Sequence, residues 1–439
     1  LAEGEYDRDR ELAQQFLDFD PSARLRPDIS RAKEIIGIAD FAREGMKHPV
    51  IFEPRLLPKT VNHLQQQYFP VLTADRKQLY FTGKGNADEN IFLSEFVGGE
   101  WSVPERVKEL NTPSNEGTCT ISADGKVLIF TVCEGASRPI LGLCDLFVSY
   151  KTGDKWSKPM NMGDRVNSRA WESQPTLSAD GRTLYFVSDR GGGQGRNDIW
   201  VTTRNDKGEW QTPRNLGITI NTSRDEISPF IHANGRTLYF SSQGHQGYGG
   251  YDLFKSEWGQ NGWGEPKNLG YPLNNHNGQV ALFITADNKK GYYSDEKMDG
   301  NKIVSRLAEF DIPDEIKPDR SSDFVFGKVY DSKNREVLQA SINLTDLATE
   351  EVISSVTSDP VNGNYLIVLT EGAEYALHVA RPGYLYQSLT FNYAEGGSNQ
   401  EIEKDIYLDP ITKGSVSRLN NIFFESGSYA LLPKSRTDL

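Results

Sequence analysis

Histidine and cysteine are the side chains best suited to metal or thiol chemistry, and in this sequence neither forms a recognisable site. The six histidines are scattered over 439 residues, and none opens a His-x-x-Glu or His-Glu-x-x-His motif. A catalytic zinc site needs convergent ligands. The chain also lacks a Gly-x-Ser-x-Gly nucleophile elbow and a Gly-x-x-x-x-Gly-Lys-Ser/Thr phosphate loop. We therefore predict no enzyme, no metal and no cofactor.

The three cysteines leave two alternatives open. Cys133 and Cys144 bracket a loop between two predicted strands, and Cys119 lies upstream. In an exported protein Cys133 and Cys144 would form a loop-closing disulfide, with Cys119 left as a buried thiol. In a cytosolic protein all three would be reduced structural thiols.

Two glycine-rich runs, 189–197 and 243–250, have the composition of phosphate-binding loops. Both precede strands, so the helix N-terminus that a phosphate site uses is missing. We interpret them as hairpin loops on one face of the fold. If that face binds a peptide, the candidate contact residues are Arg190, Arg196, His245 and Tyr248.

These loops belong to a repeat whose marker is the octapeptide Ala-Asp-Gly-Arg-Thr-Leu-Tyr-Phe at 179–186. Copies stand at 74–81, 123–130 and 233–240, with a degraded one at 286–293. The Asp or Asn positions step by 49, 56, 54 and 53 residues, a period typical of propellers and solenoids. Asp-Gly or Asn-Gly suits a tight hairpin turn, and the following aromatic and β-branched residues suit a buried strand.

Further marks complete each repeat as a four-stranded blade. A third strand follows the octapeptide, and a Trp-x-x-Pro segment then supplies the predicted outermost strand, because proline is tolerated at a sheet edge. The fifth repeat lacks its tryptophan, while 54–62 resembles 213–221 and would complete that last blade. We predict a mainly β protein with a five-bladed propeller, six blades being the alternative.

The flanking segments divide the rest of the chain. Residues 1–48 read as two helices, either the end of a helical repeat array or a lone helical hairpin. The propeller occupies 49–312, a linker 313–322, and a small β-sandwich 323–410. Residues 411–439 begin a further domain.

Composition limits the partners and the compartment. A net charge of −13 without a dense basic cluster argues against nucleic acid as a partner. No apolar run is long enough to cross a bilayer. Because the sequence opens Leu1-Ala2-Glu3, we expect any export signal or lipid anchor to lie upstream.

The modules resemble a known set. The octapeptide is similar to the PD-type repeat of TolB-like propellers, and Lys47-His48-Pro49-Val50 after a helix resembles the junction with tetratricopeptide repeats. Residues 327–331, 362–365 and 382–384 resemble the carboxypeptidase regulatory-like sandwich. Residues 422–428 and 433–436 resemble the opening of an OmpA-like peptidoglycan-binding domain. This order is that of PorE-like, OmpA-family outer-membrane lipoproteins of the Bacteroidota type IX secretion system.

The resemblance implies a non-enzymatic periplasmic scaffold, tethered to the outer membrane by an upstream lipid anchor. It would bind envelope and secretion or gliding-machine proteins and hold peptidoglycan through its C-terminal domain. The family's peptidoglycan-contacting Asp and Arg lie beyond Leu439, so no such residue is assigned here. The alternatives are a hydrolase or a ligand sensor whose active part lies outside this sequence.

Overall fold

A computed structural model describes residues 4–19, 26–85, 88–133, 138–205, 207–300, 302–394 and 401–414, with the isolated positions 416, 428, 429, 431 and 435. Strands hold 44% of the residues and helices 8%, which confirms the mainly β prediction. The resemblance to an OmpA-like opening falls almost wholly outside the described residues.

Two helices form the N-terminal part of the described chain. Helix α1 spans Tyr6–Asp18 and α2 spans Arg26–Gly45. They run antiparallel, with ion pairs from Arg10 to Asp40 and from Arg43 to Asp7. In the part of the chain that the structure describes, no helix has the length and apolar character needed to cross a membrane.

Five antiparallel units follow among the described residues, and each has the strand content of a propeller blade. The early strands are β1 Arg55–Leu56, β2 Gln66–Leu72, β3 Gln78–Lys84, β4 Glu89–Val97, β5 Glu100–Trp101 and β6 Glu105–Arg106. Unit 1 consists of β2, β3, β4 and β6. The next set is β7 Glu116–Ile121, β8 Val127–Cys133, β9 Cys144–Thr152, β10 Lys155–Trp156 and β11 Met160–Asn161. Unit 2 consists of β7, β8, β9 and β11.

Units 3 to 5 repeat this order. Unit 3 is β12 Glu172–Leu177, β13 Thr183–Ser188, β14 Asp198–Thr203 and β15 Arg214–Asn215. Unit 4 is β16 Glu226–Ile231, β17 Thr237–Ser242, β18 Asp252–Gly259 and β20 Lys267–Asn268, with β19 Gly262–Trp263 beside it. Unit 5 is β21 Phe283–Ile284, β22 Lys290–Asp299 and β23 Lys302–Asp311, and its fourth strand is β1 from the start of the chain. Strand β2 also pairs with β23, so the last unit adjoins the first.

The octapeptides form the hairpin turns between the first and second strands of the units. The glycine position of the motif has a positive φ angle, for example +72° at Gly125 and +69° at Gly181. Arg76 and Asn288 occupy the same position with φ of 57° and 58°. The left-handed backbone is therefore kept even where glycine is not, at a cost in conformational energy.

The Trp-x-x-Pro segment does not form the outermost strand as predicted. The tryptophans of units 1, 2 and 4 lie in the two-residue strands β5, β10 and β19, which fold back on the end of the third strand. The fourth strand begins after the proline, as β6, β11, β15 and β20. Proline thus ends the tryptophan hairpin and precedes the edge strand, because it cannot donate to a ladder.

The C-terminal part is a two-sheet module. Its strands are β24 Ser322–Asp331, β25 Ser341–Asp346, β26 Val352–Thr357, β27 Asn364–Thr370, β28 Glu374–Ala380, β29 Gln387–Asn392, β30 Ile402–Glu403 and β31 Ile406–Leu408. One sheet combines β27, β24, β30 and β31, and the other has the order β26-β25-β28-β29. Buried residues of both sheets, such as Val325 and Leu377, share one core.

The segment 313–322, expected to be a linker, packs against unit 4. Ile316 is fully buried, and its carbonyl accepts a hydrogen bond of 2.7 Å from the Tyr239 hydroxyl. Lys255 Nζ donates to the carbonyl of Lys317 at 2.6 Å. These contacts fix the middle of the segment to unit 4.

Candidate functional site

The units present two opposite sides, which differ in what covers them. We call the side with the octapeptide turns the turn side. The loop side carries the connections between second and third strands and those between successive units. This assignment follows from the antiparallel pairing, because each strand reverses the direction of the one before.

The two-sheet module covers part of the turn side through polar contacts. Lys126 Nζ donates to the carbonyls of Thr357 and Asn364 at 2.8 and 2.9 Å. Asp359 accepts from the Gly153 amide at 2.8 Å. The octapeptide turn of unit 2 therefore has a docking role in addition to closing a hairpin.

Arg76 provides a second docking point. Its guanidinium pairs with Asp287 at 2.5 Å and with Glu401 at 3.2 Å. Asp287 lies in the octapeptide of unit 5, so the contact joins the first and last units to the C-terminal module. These ion pairs give a physical reason for an arginine at a left-handed position that glycine would occupy at lower cost.

On the loop side, the glycine-rich runs wrap around aspartates at the start of the third strands. In unit 3, Gln194 and Gly195 donate their amides to Asp198 at 2.5 and 3.0 Å. A Cβ atom on Gly193 would lie 2.0 Å from an oxygen of the same carboxylate. In unit 4 the amide of Tyr248 donates to Asp252 at 2.8 Å. Close backbone approach to a protein carboxylate thus accounts for the glycines without a phosphate ligand.

Two of the four candidate loop residues, Arg190 and His245, are equivalent and face inward. Arg190 donates to the carbonyl of Val166 at 2.7 Å, and His245 Nε2 lies 2.9 Å from the carbonyl of Ile220. Arg190 also pairs with the buried Glu172 at 2.9 Å. Each packs on two aromatic rings of its unit. Arg190 lies against Phe186 and Trp200, and His245 lies against Phe240 and Phe254. Both side chains therefore stabilise the loop base.

The third candidate, Tyr248, is 1% exposed because the helices cover it. Its ring meets Phe41 of α2 edge-on at 5.3 Å, and its carbonyl accepts from the Tyr6 hydroxyl at 2.7 Å. Gly45 fits beside it because a Cβ there would lie 2.0 Å from the Tyr248 hydroxyl oxygen. Tyr248 is thus the contact between unit 4 and the helical pair.

Arg196, the fourth candidate, is the one with an exposed side chain, at 79%. Its guanidinium pairs with Asp225 at 2.5 Å, so it is exposed but not without a partner. The structure does not bring the four candidates into one surface cluster.

Cys133 and Cys144 form a disulfide in the structure, with their sulfur atoms 1.97 Å apart. The two residues face each other in the pairing of β8 with β9 and close the base of the unit 2 loop. Cys119 is a free buried cysteine, and burial raises the pKa of its thiol to about 12.

An asparagine that recurs in every unit and hydrogen-bonds to the third strand was not identified from the sequence. Asn221 donates to the carbonyl of Ile199 at 3.0 Å and accepts from its amide at 2.8 Å, which clamps the third strand from the side. The same reciprocal pair is made by Asn111 with Ile91, Asn167 with Leu146, Asn274 with Leu253 and Asn62 with Leu307. The signal was present, because these asparagines recur about once per octapeptide period.

The centre of the units holds a small apolar cavity of about 50 Å³. It is lined by the first strands and by the octapeptide alanines Ala74, Ala123, Ala179, Ala233 and Ala286. This volume accommodates a few water molecules and is too small for a sugar or peptide. Within the described ranges, no group of three or more His, Cys, Asp or Glu residues is placed to hold a metal ion.

No protein-family model matches this chain, and no curated protein matches it. Among solved structures, TolB from Acinetobacter baumannii is similar at 16% identity and a TM-score of 0.37, over 56% of this chain and 54% of that one. The match thus spans about half the length of TolB. An α-L-arabinofuranosidase from Podospora anserina is similar at 10% identity and a TM-score of 0.41, over 60% and 96% of the two chains. A gluconolactonase from Xanthomonas campestris is similar at 12% identity and a TM-score of 0.34, over 61% and 92%.

The last two structures correct the prediction that the chain is not an enzyme. That prediction rested on two grounds. The sequence lacks the catalytic motifs that we searched for, and we interpreted the predicted propeller as a binding module. Because enzymes are among the solved structures similar to this chain, neither ground excludes catalysis. At these identities and TM-scores the matches show a likeness of fold and give no activity to this chain.

Proposed function

We propose that the chain is an interaction scaffold of a bacterial periplasm, associated with the outer membrane. In this proposal the five units form a five-bladed propeller and the two-sheet module is a β-sandwich. The propeller and the helices bind proteins of a secretion or gliding machine, which is the type IX apparatus in the resemblance stated above. An OmpA-like domain that starts near residue 411 holds peptidoglycan.

One observation carries the proposal, namely the distribution of covered and open surface. The two-sheet module docks on the turn side through Lys126 and Arg76. The helices dock on the loop side of unit 4 through Tyr248. Among the described residues, the loops of units 2 and 3 carry no such module. A rigid frame with an open loop surface is what a scaffold needs, because preorganised loops bind at a smaller entropic cost.

The disulfide between Cys133 and Cys144 supports the proposed periplasmic location. Structural disulfides persist in oxidising compartments such as the bacterial periplasm and are rare in the cytosol. The Cys133–Cys144 disulfide of the unit 2 loop fits an exported protein.

The test is photo-crosslinking in cells that make the full-length gene product. A photoreactive amino acid replaces Gln194, an exposed loop-side residue of unit 3, or Val103, which is 62% exposed in the turn-side tryptophan hairpin of unit 1. We expect crosslinks to envelope proteins from position 194 and none from the control position 103. Equal crosslinking from both positions, or none from either, would overturn loop-side binding.

Peptidoglycan binding is tested separately with the same gene product. Purified sacculi are pelleted after incubation with the protein, and we expect the protein in the pellet. Recovery of the protein in the supernatant would remove the anchoring part of the proposal and leave the loop-side part standing.

A further inference from the structure

The last described residues of the unit 2 loop, just before the third strand, are equivalent to those of the loop that holds the helical pair on unit 4. Leu141 donates its amide to Asp145 at 2.7 Å, as Tyr248 does to Asp252 at 2.8 Å. Gly142 follows Leu141 and donates to the same aspartate at 3.2 Å. Leu141 therefore occupies in unit 2 the position that Tyr248 occupies in unit 4.

The two equivalent positions differ in what covers them. Tyr248 is 1% exposed beneath α1 and α2, whereas Leu141 is 49% exposed. Leu143, two residues further on, is 55% exposed. Two neighbouring leucines that are half exposed on a loop form an apolar surface that solvent contacts.

A positively charged side chain lies beside this apolar surface, and a disulfide closes the loop that carries it. The Leu143 amide donates to the carbonyl of Ala170 at 3.1 Å, which places the loop beside the exposed Arg169 and the half-buried Trp171. The Cys133–Cys144 disulfide closes the loop base. We call Leu141, Leu143, Arg169 and Trp171 the unit 2 loop surface.

We infer that the unit 2 loop surface docks an amphipathic helix of a partner protein, with an acidic residue of that helix against Arg169. The inference rests on the proposed loop-side binding and names its partner chemistry. Unit 4 supplies the apolar part of the pattern, because an apolar helical face covers Tyr248 there. In the connection between units 3 and 4, Glu34 of the same α2 pairs with Arg224 at 2.7 Å, so this helix combines an apolar contact with an acid–arginine pair. At unit 2, the two leucines correspond to Tyr248 as the apolar contact, and Arg169, which lies beside the loop at a position different from that of Arg224, supplies a cation for such a pair.

The test uses the full-length gene product in cells, with the photoreactive residue at position 141 and then with Arg169→Glu added. Mass spectrometry identifies the crosslinked peptide. We expect a segment of another protein with apolar residues at i, i+3 or i+4 and at least one acid. Charge reversal should lower the crosslinked yield about tenfold, because it replaces an attraction with a repulsion.

Further variants separate binding from folding. Leu143→Ser should weaken the crosslink from position 141, whereas Val103→Ser, an exposed apolar residue of unit 1, should leave it unchanged. Crosslinks to a second copy of this chain, to its own helices or to a non-helical segment would overturn the inference, as would a yield unaffected by Arg169→Glu. Crosslinks from position 194 without any from position 141 would overturn it and leave the proposed function intact. The absence of both would overturn the two together.

Discussion

Asp252 is a buried carboxyl group at the point where unit 4 meets the helices. It is 2% exposed, and its Oδ2 atom accepts from the amides of Tyr248 and Gly249. Burial raises its pKa to about 7, and those amides oppose the rise only in part. An aspartate side chain in an unfolded chain has a pKa of about 3.9. Between about pH 4 and pH 7 the folded state therefore binds more protons, so the free energy of unfolding falls as the pH rises.

Asp252→Asn should remove this pH dependence. The asparagine side chain is neutral at every pH. The difference in the free energy of unfolding between the variant and the unchanged protein should therefore shift by about 2 kcal/mol in favour of the variant between pH 5 and pH 8. Urea unfolding of both proteins at the two pH values measures the difference. Asp164→Asn, at an exposed position, should show no such change. An advantage of Asp252→Asn that is equal at both pH values would contradict the buried, partly protonated carboxyl group.

At the scale of elements, the asparagine clamps explain why the first strand belongs to the last unit. Asn62 Nδ2 donates to the carbonyls of Leu57 and Leu307, and the Leu307 amide donates back to Asn62 Oδ1. The segment that leads out of the helices is thereby fixed to β23. Removing a clamp leaves buried backbone groups without partners, which costs about 1–3 kcal/mol.

Asn62→Ala and Asn221→Ala should each lower the free energy of unfolding by about 2 kcal/mol. Asn62→Ala should also raise hydrogen exchange in β1 and β23, while Asn221→Ala should raise it in β14 and β15. Ser223→Ala, at an exposed position, is the control and should be neutral in both measurements. If Asn62→Ala left exchange in β23 unchanged, β1 would not be needed to complete unit 5.

Elements could be predicted from the sequence where a local motif fixes the backbone conformation. The prediction was wrong where contacts between distant residues decide the structure. Asp124-Gly125 demands a hairpin turn, so the octapeptide period revealed the units. The edge strands β6, β11, β15 and β20 have only two residues each, too few to show a pattern, and the tryptophans were assigned to them instead. Tyr248 was predicted as a candidate peptide-contact residue of a loop, whereas in the structure it is buried against the helices, and its partner Tyr6 lies 242 residues away in the sequence. No local pattern reveals such a contact.

The arrangement of the whole molecule follows from contacts between modules. Helices occupy part of the loop side, the two-sheet module occupies part of the turn side, and the segment between the five units and the module is packed through Ile316. A packed connection and several polar contacts together favour one relative orientation of the modules. In the function we propose, this would hold loop-side partners and a C-terminal anchor at a fixed separation, which a flexible tether cannot provide.

Lys126 is the residue whose loss should loosen this arrangement. Its Nζ bonds to Thr357 and Asn364 are hydrogen bonds from a charged group, each worth about 1.5–3 kcal/mol. Lys126→Ala should raise hydrogen exchange in β26 and β27 and increase the radius of gyration in solution scattering, while the units keep their own exchange protection. Lys155→Ala, at an exposed lysine of the same unit, should change neither quantity. Unchanged exchange in β26 and β27 after Lys126→Ala would show that the Lys126 bonds are not needed for the orientation, which the packed segment around Ile316 and the contacts of Asp359 and Arg76 would then set.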